Sequence, residues 1–472
     1  MSAPFKKNDD ITLEITSMNA DGAGVGRYEG FAVFVPFALP GETVKAHVIK
    51  VASNYAAAKL VSVEVPSPSR IDPVCPHFGK CGGCSLQHVG YETQLEYKRR
   101  RVIDALERIG GFKGVEVSST VGMSDPLRYR NKGSFPAAEV DGRIRWGLYA
   151  PRSHRLIPAE DCPIESREAV AASDAVCAWA NEYGIPAYDE LTGKGTLRHI
   201  VTRKTTGGVS VTVVTTGALP HGNDLVNGIR SSIPEVKSIV HNVNDRSTNV
   251  IMGEKSRLVW GEERIEHVLA GLRFGVNAKS FLQVNTVQTE RLYSLATEWL
   301  GINENSVAAD LYCGIGTISL MLAKKARKVV GIEYVAEAVN DARENAKLNG
   351  LDNAEFFCGP AEDVLPRLVA EGMRLDAITL DPPRKGADPA VLDAIAASGT
   401  EKIAYVSCDP ATLARDLRIL CDKGYSICSV TPVDMFPMTS HVETVCCLYR
   451  QKKGFISVPY EPKKADHLRK IK

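Results

Sequence analysis

The chain has 472 residues, 44% of them hydrophobic, with 57 Lys and Arg against 56 Asp and Glu for a formal net charge of +1. That length can bury several cores, so roughly two to four domains are expected, and the charge excludes a wholly basic polypeptide while allowing local basic patches. No apolar leader follows Met1 and no apolar run reaches the ~20 residues of a membrane span, so a soluble, cytoplasmic protein with no membrane partner is expected.

Residues 1–65 read as a small all-β unit. "DITLEITSMN", "FAVFVPFAL", "ETVKAHVIKV" and "AAAKLVSVEV" are strand-like, punctuated by "DGAGVGRYEG" and "LPG". Short strands at this spacing suit a five-stranded OB-like barrel, a fold that often binds oligonucleotides. "VPSPSR", Val65 to Arg70, reads as a linker.

Residues 70–275 show a mixed α/β pattern, with "YETQLEYKRRRVIDALERIG" helical and "GGVSVTVVTT" strand-like. Cys75, Cys81 and Cys84, spaced C-x5-C-x2-C, form a constellation with the distant Cys162 in "EDCPIE". Four thiolates could hold zinc or an iron–sulfur cluster, and the spacing leaves both open. Gly79, Gly82 and Gly83 permit a tight loop around a metal, and His77 and His88 are possible substitute ligands. Arg128, Arg130 and Lys132 in "LRYRNKGSF", and Arg143, Arg145, Arg152 and Arg155 around Trp146 and Tyr149, suit phosphate contact and base stacking if the rings are exposed. The basic run Lys98 to Arg101 is either an RNA contact or a solvated helix face.

Residues 276–453 alternate strand and helix as a doubly wound, Rossmann-like parallel sheet does. "SVAADLYCGIGTISLMLA" is a strand, a glycine loop Gly314-x-Gly316 and a helix, and "KVVGIEYVAEAV" is a second strand ending in Glu333. An acid there can accept both hydroxyls of a ribose. A dinucleotide site would place a third glycine where Ser319 stands, so the loop favours S-adenosylmethionine over NAD. Asp381 begins "DPPRKG", in which Arg384 occupies the place where amino-group methyltransferases commonly put a base-stacking aromatic. A carbon target is then favoured over an amine. C5 of uracil is a poor nucleophile until a thiolate adds to C6, and a base must afterwards remove the C5 proton. In "YVSCDPATLARDL", Cys408 closes a strand and Asp409-Pro410 starts a helix, which puts the thiol at the mouth of the sheet. Cys177, Cys313, Cys358, Cys421, Cys428, Cys446 and Cys447 read as core packing. Residues 454–472, including "KKADHLRKIK", read as a basic tail that adds RNA affinity without specificity.

"FLQVN", "DLYCGIGT", "DPPRKG", "SCDPATLARDL" and "FPMTSHVETV", in that order, resemble the RNA 5-methyluridine methyltransferases. The barrel is similar to the TRAM domain ahead of the ribosomal members, and "CPHFGKCGGCSLQH" to their iron–sulfur segment. The resemblance implies Cys408 as nucleophile and Glu443 of "HVETV" as the base. It implies Gln283, Tyr312, Glu333 and Asp381 around S-adenosylmethionine, and a [4Fe-4S] cluster on Cys75, Cys81, Cys84 and Cys162. Thr317 departs from the pattern, since some relatives place asparagine there. The expected partner is RNA, large-subunit ribosomal RNA before transfer RNA because tRNA-specific relatives generally lack the barrel; the alternative from another class is an RNA-binding or ribosome-assembly protein with an idle methyltransferase fold. No obligate protein partner is implied.

Overall fold

The structure is a computed structural model and describes residues 3–451. The basic tail expected at 454–472 lies outside the described residues. The chain forms two compact units, one of residues up to 101, 119–291 and 433–442, the other of 102–118, 292–432 and 443 onward.

The first unit opens with a closed barrel of β1 (Asp10–Met18), β2 (Ala23–Tyr28), β3 (Phe31–Pro36), β4 (Thr43–Val51) and β5 (Tyr55–Val65), in the order β1-β2-β3-β5-β4. Alternating residues of β1 and β3 point into a core of Ile11, Leu13, Ile15, Phe31, Val33 and Val35. Gly24 and Gly26 on β2 are required by closure, because a Cβ there would stand 2.6 Å from the Ala38 carbonyl and 2.3 Å from that of Glu14. The stretch after Val65 is fastened rather than loose. Glu42, buried in the barrel, accepts from the Ser67 N–H at 3.3 Å and from Arg70 Nε at 2.5 Å and Nη2 at 2.8 Å. Leu39 of the barrel shares a small core with Leu86 and Val89.

Helix α1 (Tyr91–Arg108) follows. Lys98 is 1% exposed and ion-paired with the buried Asp434, which also accepts from the Tyr91 hydroxyl at 2.8 Å. Arg101 donates to the Ser440 carbonyl at 2.7 Å. These two cations of the 98–101 run fasten segment 433–442, and Lys98 presents no solvated face.

The central sheet runs β12-β11-β10-β9-β6-β7-β8. Its strands are β6 (Lys132–Val140), β7 (Arg143–Tyr149), β8 (Leu156–Pro158), β9 (Leu197–Thr205), β10 (Gly208–Thr215), β11 (Val236–Val243) and β12 (Lys255–Gly261). Helices α2 (Arg167–Glu182) and α3 (Gly222–Ser232) contribute to a core on one face that holds Phe135, Trp146, Ile200, Val211 and Val213. The hairpin β13 (Ile265–Leu269) and β14 (Leu272–Val276) leads to α4 (Thr286–Leu300).

The second unit alternates β15 (Val307–Leu311), α5 (Thr317–Ala323), β16 (Lys328–Glu333), α6 (Ala336–Leu348), β17 (Ala354–Cys358), α7 (Ala361–Ala370), β18 (Ala377–Leu380), α8 (Pro389–Ser398), β19 (Lys402–Ser407) and α9 (Pro410–Asp422), then β20 (Tyr425–Val433) and β21 (Glu443–Arg450). The sheet order is β17-β16-β15-β18-β19-β21-β20. Every residue of β15 and of β18 is buried, the continuous apolar run expected of parallel strands covered on both faces. The order reverses between β15 and β18, so the crevice for a ligand opens beyond their carboxyl ends.

Candidate active site

Four loops leave the carboxyl ends of β15, β16, β18 and β19, and each carries an expected site residue. After β15, Tyr312 has φ +64 and Gly316 φ +86, so the chain turns through left-handed conformations before α5. A Cβ on Gly316 would stand 3.2 Å from both Ala342 Cβ and the Phe356 ring, on a backbone that side chains rarely adopt. Glu333 at the end of β16 holds this loop, accepting from the Gly314 N–H at 3.2 Å and from the Val335 N–H at 2.9 Å. Each carboxylate oxygen keeps further acceptor capacity.

The loop after β18 begins with the fully buried Asp381. Burial raises its pKa to about 7, against a hydrogen bond from the Tyr293 hydroxyl at 3.2 Å. The rest of "DPPRKG" is fastened by α9. Arg415 Nη2 donates to the Lys385 carbonyl at 2.9 Å, and Asp416 accepts from the Ala387 N–H at 2.9 Å and the Tyr405 hydroxyl at 2.6 Å. Gly386, at φ +81, lies so close to Arg415 and Asp416 that a Cβ would overlap them.

Cys408 follows β19. Asp409 caps α9, accepting from the N–H groups of Ala411 and Thr412 at 2.9 Å each. The antiparallel ladder between β19 and β21 ends with Ser407 opposite Thr444. The next positions along the two strands are Cys408 and Glu443, which therefore face each other. Glu443 is 3% exposed; burial, then the charge of Asp381, push its pKa up to about 8, with Arg384 opposing. The half-buried Cys408 thiol is pushed up to about 11 by burial, then by Glu443 and Asp381, again with Arg384 opposing.

The second unit thus brings Cys408, Glu443, Asp381, Tyr312 and Glu333 to one end of one sheet. Gln283 belongs to the first unit, half-buried in the turn before α4, and its carbonyl accepts from Asn131 Nδ2 at 3.0 Å. Three residues were not legible from motif chemistry in the roles they take here. Tyr293 meets Asp381 from α4, Arg384 is a cation acting on both Cys408 and Glu443, and Asp310 lies buried under hydrogen bonds from Ser319 and Thr379 at 2.6 and 2.7 Å. An acid at the end of the first strand of a glycine-loop motif was the available signal for Asp310.

The cysteine constellation lies in the first unit. Gly83 N–H points at Cys81 Sγ at 3.3 Å, Gln87 Nε2 at Cys84 Sγ at 3.2 Å, and Gln87 Oε1 accepts from the Cys75 N–H at 3.1 Å. Each thiol of Cys81, Cys84 and Cys162 is raised, first by burial, and each feels another cysteine of the set: Cys81 feels Cys75, Cys84 feels Cys81 and Cys75, and Cys162 feels Cys84. Among the described residues no group of three or more His, Cys, Asp or Glu is drawn tightly enough around a point to hold a single metal ion. His88 packs against Phe78 and Phe37, with ring centroids 5.1 and 6.0 Å away.

The expected basic surface is smaller than its residue count. Arg128 pairs with Asp161, Arg130 with Glu165 at 2.8 Å and Arg145 with Glu160 at 3.8 Å. Trp146 is 2% exposed and donates to Asp174 at 2.6 Å, so it belongs to the core and offers no stacking face. Cys177, Cys313, Cys446 and Cys447 are buried as expected, whereas Cys358 is exposed at the end of β17. No helix among the described residues is long and apolar enough to cross a membrane.

A doubly wound sheet with a glycine loop, an acid at the end of its second strand and a cysteine at its mouth is the architecture of an S-adenosylmethionine-type methyltransferase domain, here following an OB-like barrel in the chain. Residues 248–451 match the tRNA (Uracil-5-)-methyltransferase family and residues 4–61 the TRAM domain. An uncharacterised RNA methyltransferase of Halalkalibacterium halodurans is 47% identical over 94% of this chain and 98% of its own, and one of Listeria innocua 44% identical over 94% and 98%. The crystal structure of Pyrococcus abyssi tRNA (uracil-54, C5)-methyltransferase with S-adenosyl-L-homocysteine is 29% identical, with a TM-score of 0.75, covering 93% of this chain and 99% of that one. The chain belongs to the S-adenosylmethionine-dependent RNA uracil-5 methyltransferase family.

Proposed function

We propose that the enzyme methylates C5 of a uridine by covalent catalysis, with Cys408 as nucleophile and Glu443 as base. The cross-strand placement of these two side chains, with Arg384 acting on both, carries the reading. The Cys408 thiol gives its proton to solvent, its sulfur bonds to C6, and the C5–C6 π electrons shift to C5 and O4, which gives C5 enolate character. S-adenosylmethionine, when bound, supplies an electrophilic methyl group. Glu443 then takes the C5 proton, and the electron pair restores the C5–C6 double bond as the Cys408 thiolate leaves. Burial and the Asp381 charge make Glu443, in its ionised form, a stronger base than an ordinary carboxylate. Arg384 steadies the thiolate as it forms and departs. Tyr312, Glu333, Asp381 and Gln283 are assigned to the cofactor.

Cys75, Cys81, Cys84 and Cys162 are assigned to a [4Fe-4S] cluster. Three thiols, Cys81, Cys84 and Cys162, each raised by burial and in part by another cysteine of the set, with N–H groups directed at two sulfurs, suit a cluster, whose ligands stand further apart than those of one ion. Its role is structural or RNA-positioning, since methyl transfer needs no redox step. Protein purified without air should contain iron and sulfide, and Cys81→Ser should lose both. Zinc in their place would refute the assignment.

The target assigned is large-subunit ribosomal RNA, in the cytoplasm. Transfer RNA is the second reading, favoured by the Pyrococcus enzyme. The 7% of this chain outside that match is less than the barrel occupies, so a barrel alone does not separate the two targets. Turnover of radiolabelled S-adenosylmethionine on unmodified ribosomal and transfer RNA, with the labelled nucleoside identified, decides between them. No label in 5-methyluridine on either RNA would reject the activity.

A further inference from the structure

One face of the central sheet gathers positive charge, and among the described residues no acid acts on either of its two cations. Lys132 on β6 and Arg203 on β9 are directly opposite in the antiparallel ladder, so both side chains leave the sheet on the same face. Like charges so placed repel each other. That face continues through Ser134, two residues along β6 and opposite Val201, and through His199, four residues from Arg203 on β9, whereas Phe135 and Ile200 enter the apolar core on the other face.

Arg203 is 4% exposed. Its Nη2 donates to the Ser280 carbonyl at 2.7 Å, but its Nη1 is buried with no hydrogen-bond partner. Burial lowers it to about 10, with no carboxylate acting against that. Lys132 is lowered by burial and then by Arg203 and Arg130, again with no acid contributing. His267, 2% exposed and beside Arg203, has both ring nitrogens unpartnered, and Ser134 Oγ and His199 Nδ1 are unpartnered too. A guanidinium taken out of water is normally paired, because leaving it alone is among the costliest arrangements in a fold. An arginine needed only to hold Ser280 would not require a lysine facing it.

We propose that Lys132 and Arg203 bind one backbone phosphate of the RNA. Arg203 Nη1 and the Lys132 ammonium supply the charge-assisted bonds, and Ser134 and His267 are hydrogen-bonding groups on the same polar face. A planar fork beside a point charge suits a tetrahedral oxyanion. Such a contact sets the register of the strand and reads no base. The assignment rests on RNA being the substrate.

The test uses the full-length protein and a labelled, unmodified RNA, with affinity measured across a salt series. Lys132→Met/Arg203→Met should make the plot of log affinity against log salt shallower by roughly 0.7 to 0.9, one phosphate contact, while S-adenosylmethionine affinity stays unchanged. Lys132→Met alone, which leaves the Ser280 contact intact, should also flatten the slope, and Arg203→Lys should restore most of it. Slopes equal to wild type in the folded variants would overturn the proposal. So would unchanged slopes together with a wild-type melting temperature raised by inorganic phosphate at matched ionic strength, which would assign the site to a small free anion. A slope difference supports the site even where the wild type forms no 5-methyluridine, an outcome that counts only against the reaction.

Discussion

Cys408→Ala has no sulfur to add to C6, so it should bind both substrates and yield neither adduct nor product. Glu443→Gln can still add and transfer methyl but should stall before losing the C5 proton, accumulating a covalent protein–RNA species already methylated at C5. A denaturing gel with labelled RNA, followed by mass analysis of the cross-linked peptide, distinguishes the two; an adduct on another cysteine would be incompatible with the mechanism. Glu443 also makes a stability prediction with a definite sign. Its folded pKa is about 8 against an ordinary 4.5, so below pH 4.5 both folded and unfolded forms are protonated and its contribution is fully present. As pH rises from 4.5 to 8 the unfolded chain ionises first and stability falls. Glu443→Gln removes that loss, so its advantage over wild type should be larger at pH 8 than at pH 5, on the order of 1–3 kcal/mol. Urea titrations at the two pH values measure it; an equal difference at both would mean the carboxyl is not held protonated.

At the scale of elements, α9 does two jobs through its first turns. Asp409 caps it immediately after Cys408, while Arg415 and Asp416 hold the loop that carries Asp381 and Arg384. Asp409→Ala should therefore lower stability by about 1 kcal/mol and reduce adduct formation more than S-adenosylmethionine binding, whereas Asp409→Asn should preserve both. Adduct yield and cofactor affinity measured on the same preparation show whether the two effects part. Segment 433–442 depends on a different element. Lys98→Met would leave Asp434 buried beside Tyr91 without its cation, a loss of about 3–5 kcal/mol, and Lys98→Met/Asp434→Leu should recover most of it. A double variant no more stable than the single one would argue against a buried ion pair.

For the whole molecule, the barrel is bound into the first unit by Glu42, Arg70 and the Leu39–Leu86–Val89 core, next to the cysteine loop. Removing residues up to Val65 should weaken RNA binding about tenfold and also reduce iron retention, because Leu86 and Val89 flank that loop and would lose their cover. S-adenosylmethionine affinity should persist, since of the residues assigned to the cofactor Tyr312, Glu333 and Asp381 lie in the other unit and Gln283 lies far along the chain from the deleted barrel. Unaltered RNA affinity in the truncated protein would assign the barrel to something else.

Much of this was readable in one dimension, because each motif couples a backbone requirement to a side-chain type. Gly314-x-Gly316 before an apolar helix, Asp409-Pro410 after a buried strand, and alternation along β1 and β3 are local rules, satisfied by neighbours within a few residues. What the chain order could not show was which charges meet. Arg128, Arg130 and Lys98 read as free cations until Asp161, Glu165 and Asp434 proved to be their partners. Trp146 read as a stacking surface until the core closed over it. The sequence by itself determined the barrel, the doubly wound sheet and the chemistry available at the strand ends. Only the tertiary structure decided that Glu443 faces Cys408, that Arg384 acts on both, and that Lys132 and Arg203 stand opposite each other across the ladder. Pairing across a ladder depends on register between strands far apart in the chain, and no local pattern encodes that register.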